Sequence, residues 1–241
     1  MKDEAMTDLL TLCQALEAIA GCTNDRDVWD RYGWVYATDG DERDARFWLS
    51  DHDAEHDDPS VEAFAAQHAL STYLEAATFA DVLDVQKRQC PLSTLDDYAQ
   101  ALAYYSEYDA FAPVAGIDEA LGEATAEARQ AAHALGVGRG IFAAFDVALV
   151  QCPASKVKDA ARIVAAVLDV PVGRALALCR DLPVELGRDL ERPRAAAIAA
   201  AFQAAGIALE MRGYRAFPWM DAPATVRLMP VALRPAAAAG R

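Results

Sequence analysis

The sequence predicts an α+β fold in two domains, and three observations carry that reading. Aromatic and β-branched runs, WVYA at 34–37 and RFWLS at 46–50, have the look of short strands, and amphipathic helical stripes follow them. From Phe145 to Arg212 a second, self-contained pattern runs strand, helix, helix, short strand, helix, strand. The formal net charge of −15 is also divided: residues 1–140 hold 28 acids against 9 bases, and residues 141–241 hold 9 against 13. The expected parts are an acidic α+β binding domain at 1–112 with short strands and amphipathic helices, and a linker helix with a Gly-rich joint at 113–141. A compact α+β domain with a small antiparallel sheet at 142–212 and a C-terminal extension at 213–241 complete the chain.

In order along the chain, residues 6–20 place Leu9, Leu12, Cys13, Leu16, Ile19 and Ala20 on one helical face, with Gly21 as the stop. WVYA and RFWLS follow as a hairpin or as neighbouring strands, separated by the charged turn segment TDGDERD. Residues 61–69 read as helix, STYLEA as another strand, and FADVLDVQKRQ as an amphipathic helix with Phe79, Val82, Leu83 and Gln86 inward, ended by Cys90–Pro91. Ser93 or Thr94 caps a further helix whose stripe is Leu95, Tyr98, Ala99, Leu102, Tyr105 and Phe111, with Asp96 and Asp97 placed favourably at its positive end. The stretch GIDEALGEATAEARQAAHALG suggests a connecting helix with Ile117, Leu121, Ala124, Ala128, Ala131 and Leu135 on one side, and His133 partly buried or at its surface. GVGRG then reads as a flexible joint, because it lacks the preceding strand, the lysine and the hydroxyl of a phosphate-binding loop.

In the second domain FDVALV is the first strand, and Ser155 stands where a helix N-cap belongs. Val157, Ala160, Ala161, Val164 and Leu168 form the first helical stripe, and a second helix beginning at Pro171 presents Ala175, Leu178 and Leu182. Val184–Leu186 is extended. The third helix runs from Pro193 through Ile198, Phe202 and Ala205 to Gly206, and Ile207–Met211 is the closing strand. In the extension, VRLM or VAL supplies edge strands, and PAAAAGR frays.

The candidate contact residues lie in the acidic domain. SDHDAEHDDPS reads as a solvated acidic loop bearing Asp51, Asp53, Glu55, Asp57 and Asp58. Its alternative is a metal-binding helix with His52 and His56 on one face beside Asp53 or Asp57, against which stand the missing apolar period and Pro59. Tyr104, Tyr105, Tyr108 and Asp109 offer aromatic rings beside a carboxylate, a composition suited to packing or to an interface. So negative a domain repels nucleic acid and anionic membrane and attracts a basic protein by long-range steering.

The other function classes find little support. No GxSxG, HExxH, Walker or zinc-deaminase signature occurs, and His52, His56, His68 and His133 have no nucleophile fixed near them by spacing. A non-enzyme without cofactor is expected. No basic stripe with interleaved aromatics predicts nucleic-acid binding. No apolar run is long enough to span a bilayer, and MKDEAMTDLL has acids where a signal peptide carries positive charge, so the expected location is the cytoplasm. Cys13, Cys22, Cys90, Cys152 and Cys179 are odd in number and without a CxxC pair, so reduced and mostly buried thiols are expected.

Two resemblances add to this reading. FDV, SKV, the Ala175/Leu178 pair, LP before a short strand and AAGIALEMR resemble the C-terminal domain of the bacterial ribosomal stalk protein over residues 145–212. That resemblance implies contact with a translational GTPase through a basic face, here Lys156, Lys158 and Arg162; Ala165 and Leu176 stand where the family has further basic residues. WVY, STYLEA with its following helix, and above all YYSEYDAF resemble, over residues 28–112, the immunity proteins of bacterial polymorphic toxin systems. This second resemblance implies a non-catalytic protein that binds and neutralises a cognate, basic protein toxin. The alternative is a translation-associated adaptor acting through the stalk-like domain.

Overall fold

The computed structural model describes residues 9–53, 58–118, 120–221 and 226–228. The chain divides into two compact units, Met1–Ala143 with Tyr214–Ala222 and Ala144–Gly213 with Pro223–Arg241. Each contains a four-stranded sheet with helices, so the protein is α+β. No described helix is long and apolar enough to cross a membrane.

The first unit runs β1 (Leu10–Thr11), α1 (Leu12–Ala20), α2 (Asp25–Arg31), β2 (Tyr32–Thr38), β3 (Arg46–Asp51), α3 (Pro59–His68), β4 (Leu70–Glu75), α4 (Ala76–Gln89), α5 (Leu95–Tyr108) and α6 (Ala126–Ala134). Its sheet has the order β1-β3-β2-β4 with antiparallel pairings. The two-residue period of a strand assigns the faces. Val35 and Ala37, paired with Leu49 and Phe47, turn to a core built with Leu16 and Ile19 of α1, Phe79 and Leu83 of α4, and Tyr98 and Leu102 of α5. Tyr36, opposite Trp48, turns the other way onto Val61 and Ala65 of α3, where Trp48 and Phe64 stand 4.6 Å apart. Helices therefore cover both faces of the sheet.

Several local expectations change. The first helix begins only at Leu12, because Leu10–Thr11 pair with Phe47 and Arg46 and Thr11 forms a capping box with Gln14. α5 has its capping box at Thr94–Asp97 and ends where Asp109 turns left-handed at φ 49°. Phe111 thus lies outside the helical stripe and is 44% exposed, its ring 5.3 Å from that of Tyr105. The connecting helix shortens to α6. Upstream of it Gly116 and Gly122 are left-handed, Asp118 accepts from the Ala120 N–H, and Thr125 caps the helix; Ala132, on a different face from the expected stripe, is its buried residue. His133, as expected, is half-buried; its ring stacks on Tyr214 at 4.0 Å. GVGRG is no loose joint, since the Gly136 carbonyl accepts from Arg215 N and the Gly138 N–H donates to Arg215 O. Phe217 completes this packing, edge-on to Tyr98 at 5.2 Å.

The second unit comprises β5 (Ala144–Leu149), a 3-10 turn at Ala154–Lys156, α7 (Val157–Leu168), α8 (Val172–Leu178), β6 (Val184–Glu191), α9 (Arg192–Ala204), β7 (Leu209–Tyr214) and β8 (Val226–Leu228). The sheet order is β6-β5-β7-β8, with β5–β6 and β7–β8 antiparallel. α7 packs on α8 and α9, and α9 lies on β5 and β6. Ala160, Ala161 and Val164 of α7 and Ala195, Ile198, Ala199 and Phe202 of α9 are buried. Ser155 caps nothing here: it sits inside the 3-10 turn, and Lys156 occupies the cap position of α7 without a side-chain bond. Pro171 is the cap of α8 rather than its first-turn residue. β6 extends past Leu186 to Glu191, and β7 starts two residues later than Ile207. VAL and PAAAAGR lie outside the described residues.

All five cysteines are free. Cys22 and Cys179 are buried, whereas Cys13, Cys90 and Cys152 are half-buried, fewer interior thiols than expected.

Candidate functional site

The charge division follows the units: the first holds 29 acids and 10 bases, the second 8 acids and 12 bases. Within the first unit α4 packs against both α2 and α5, and carboxylates of these elements come close together there. α4 exists because Ala76, Phe79, Ala80, Val82, Leu83, Gln86 and Lys87 give it one wide buried face. Its remaining positions carry Asp81, Asp84 and Arg88. α2 packs against α4 and begins with Asp25 behind the N-cap Asn24, whose side chain accepts from the Asp27 N–H.

These carboxylates crowd one another. Desolvation, then the negative charges of Asp25 and Asp84, push the Asp81 carboxyl above its ordinary value, opposed by Arg88. Asp84 is also raised, by desolvation first; Arg88, whose Nε stands 2.8 Å away, pulls it back, as do Lys87 and the Ile141 N–H. Lys87 is fully buried, with its Nζ 5.7 Å from the centre of the Phe217 ring. Among the described residues neither Asp25 nor Asp81 has an ion-pair partner. Asp27 is the contrast within the same helix pair. Against the cost of desolvation, bonds from Arg31 Nε at 2.7 Å and from the Thr23 backbone and hydroxyl hold its carboxyl below the usual range.

The C-terminal end of α5 extends the ridge. Desolvation, then the charge of Asp109 and the bond that the Tyr105 hydroxyl donates to it, raise Tyr105, and Asp81 adds to the effect. The rings of Tyr104 and Tyr108 lie 4.7 Å apart and tilted by 46°, and Tyr108, 57% exposed, is raised by the bond to Glu107. Near the first turn of α5, a concavity of about 290 Å³ is lined by Asp41, Glu42, Asp96 and Arg43, with Arg43 Nε 2.5 Å from Asp96.

The expected loop acids separate into different roles. Asp51 ends β3 opposite Tyr32, exposed, and Asp53 is exposed in the turn that follows. Asp58 is occupied as the N-cap of α3: its carboxylate accepts from the Ser60 hydroxyl and backbone N–H, which lower its pKa. Glu55, Asp57 and His56, and with His56 the proposed histidine pair, lie outside the described residues. His52 instead sets its ring 5.7 Å from that of Trp29, a 54% exposed side chain on α2. On the second unit Lys158 and Arg162 are exposed on α7, Arg162 bonded to Asp159 at 3.2 Å, and Lys156 is half-buried before the helix.

Sequence reasoning missed α2, Trp29, Asp25, Asp81 and Asp84. The available signal was Asn24 three residues before Asp27, a capping pattern, and the i, i+3 acids of FADVLD within a helix already recognised.

The arrangement suits the reception of positive charge. It sets negative side chains and exposed aromatic rings on rigid helices, the composition of a protein-binding surface. Residues 10–114, which include every carboxylate and tyrosine of this ridge, match a family described as a domain of unknown function (DUF7716). No curated protein and no solved structure matches the chain.

Proposed function

We propose that the first unit is a non-catalytic binding domain for a basic protein, and that the chain acts in the cytoplasm as an immunity protein that neutralises a cognate bacterial toxin by covering its surface. The observation that supports this most is the crowding of Asp25, Asp81 and Asp84, where desolvation first, and then repulsion by neighbouring carboxylates, raises the carboxyls of Asp81 and Asp84. A cationic partner relieves that repulsion, whereas an anionic one adds to it. Tyr104, Tyr108 and Trp29 supply apolar area beside the charge.

A second reading is a translation-associated adaptor working through the second unit. It is favoured by the strand, helix, helix, strand, helix, strand order there and by exposed Lys158 and Arg162 on α7.

Affinity capture from the producing bacterium separates the two. The full chain, Asp25→Lys/Asp81→Lys and Lys158→Glu/Arg162→Glu serve as baits, and bound proteins are identified by mass spectrometry. Capture of a basic toxin by the first and third baits, lost from the second, is the expected result. A translational GTPase lost only from the third bait would establish the adaptor instead.

A further inference from the structure

α9 is an unusual surface helix. From Ala195 to Ala205 it carries no charged residue, yet Ala196, Ala197, Ala200, Ala201 and Ala204 are exposed. A helix whose outer face meets water normally bears charge there, and one that is apolar all round is normally covered. Beside this bare face runs a groove of about 410 Å³, with Ile163, Ala166 and Val167 from α7 and Ala197, Ile198 and Ala201 from α9. Arg162 and Arg194 complete its lining.

The spacing of the lining indicates the shape of an occupant. On α9 the residues fall at 194, 197, 198 and 201, and on α7 at 162, 163, 166 and 167, which is the ridge pattern that one helix offers another. Alanines on both walls allow a third helix to approach closely. Charge indicates the chemistry. Arg194 has no ion-pair partner among the described residues, Arg162 is paired with the half-buried Asp159, and the whole unit carries a positive balance. A second copy of the groove would bring arginines against arginines, which argues against self-pairing.

We propose that the α7–α9 groove docks an amphipathic helix of another protein, its apolar face in the groove and carboxylates on its flanks meeting Arg162 and Arg194. This site shares Arg162 with the basic face implied by the stalk resemblance but takes its second wall from α9 rather than α8, and it does not depend on the role of the acidic unit.

The test uses the full chain and a fluorescein-labelled synthetic peptide with Leu at i, i+3, i+4 and i+7 and Glu on both flanks, read by fluorescence anisotropy. A control peptide carries Lys in place of Glu. Saturable binding of the Glu peptide and not of the Lys peptide is expected. Arg194→Glu should weaken it at least about tenfold, a loss on the scale of one charge-assisted contact. Ala201→Glu, which places a like charge in the groove, should do the same while the circular dichroism melt stays that of the parent chain. Arg194→Glu/Arg162→Glu should transfer preference to the Lys peptide. Failure of the Glu peptide to bind, equal binding of both peptides, or indifference to Ala201→Glu overturns the proposal. So does concentration-dependent dimerisation in sedimentation that Ala201→Glu abolishes, since the groove would then belong to a second copy.

Discussion

The two units of this chain handle their polar surface in opposite ways. The first gathers carboxylates on α2, α4 and α5; Asp27, Asp30, Asp84 and Asp96 are paired with arginines, whereas Asp25 and Asp81 have no such partner among the described residues. The second has a positive balance and a helix, α9, that is nearly bare of charge. Both units have α+β architecture and bury aromatic and aliphatic cores of ordinary kind, so the difference does not come from folding. A cluster of carboxylates with little compensating charge and an exposed apolar helix face are surfaces of opposite chemical character, and the partners proposed for them differ accordingly.

The largest expected effect tests whether the units are separate folding entities. Phe79 is fully buried in the first core, and Phe79→Ala should cost about 3–5 kcal/mol. Two calorimetric transitions, with the variant lowering only one, would sharpen the distinction, and a single transition lowered throughout would break it. A smaller effect is expected from Thr94→Ala, which removes the capping box of α5 and should cost about 0.5–2 kcal/mol by denaturant unfolding. It should act on the same transition as Phe79→Ala.

The pH predictions have opposite signs inside one unit. Asp81 has a raised folded pKa, so its stabilising contribution is present below the unfolded value and lost as pH rises through the folded one. Asp81→Asn should therefore melt higher than the parent chain near neutral pH, with the gap closing on acidification. Asp27 has a lowered pKa, so its contribution is present above the unfolded value and lost as pH falls through the folded one. Asp27→Asn should melt lower near neutral pH and converge with the parent in acid. Melting curves across that range check both, and parallel behaviour of the two variants would remove the account of the ridge.

Much of the fold was legible in the sequence, and for identifiable reasons. WVYA alternates, so its two faces could be assigned to strand positions, and α4 and α5 carry wide apolar stripes. α2 has no such stripe, because Val28 is its one buried residue, and only its caps mark it. The 136–138 segment read as a joint because the glycines that make it permissive in a peptide also let its backbone pair closely with Arg215. The acidity of the site was visible in composition, but its focus was not. Asp25, Asp81, Asp84 and Asp109 come together only through the packing of three helices, while Asp58, as prominent in the sequence, is occupied by a cap.

The central claim is that repelled carboxylates on the first unit draw in a basic partner, and association kinetics test it most directly. With the basic protein captured by the full chain, stopped-flow rates are measured for that chain and for Asp25→Lys/Asp81→Lys across a range of salt. The account predicts a rate that falls steeply as salt rises and a variant that is slower by about tenfold or more at low salt, converging at high salt. A rate indifferent to salt and identical in the variant would contradict it.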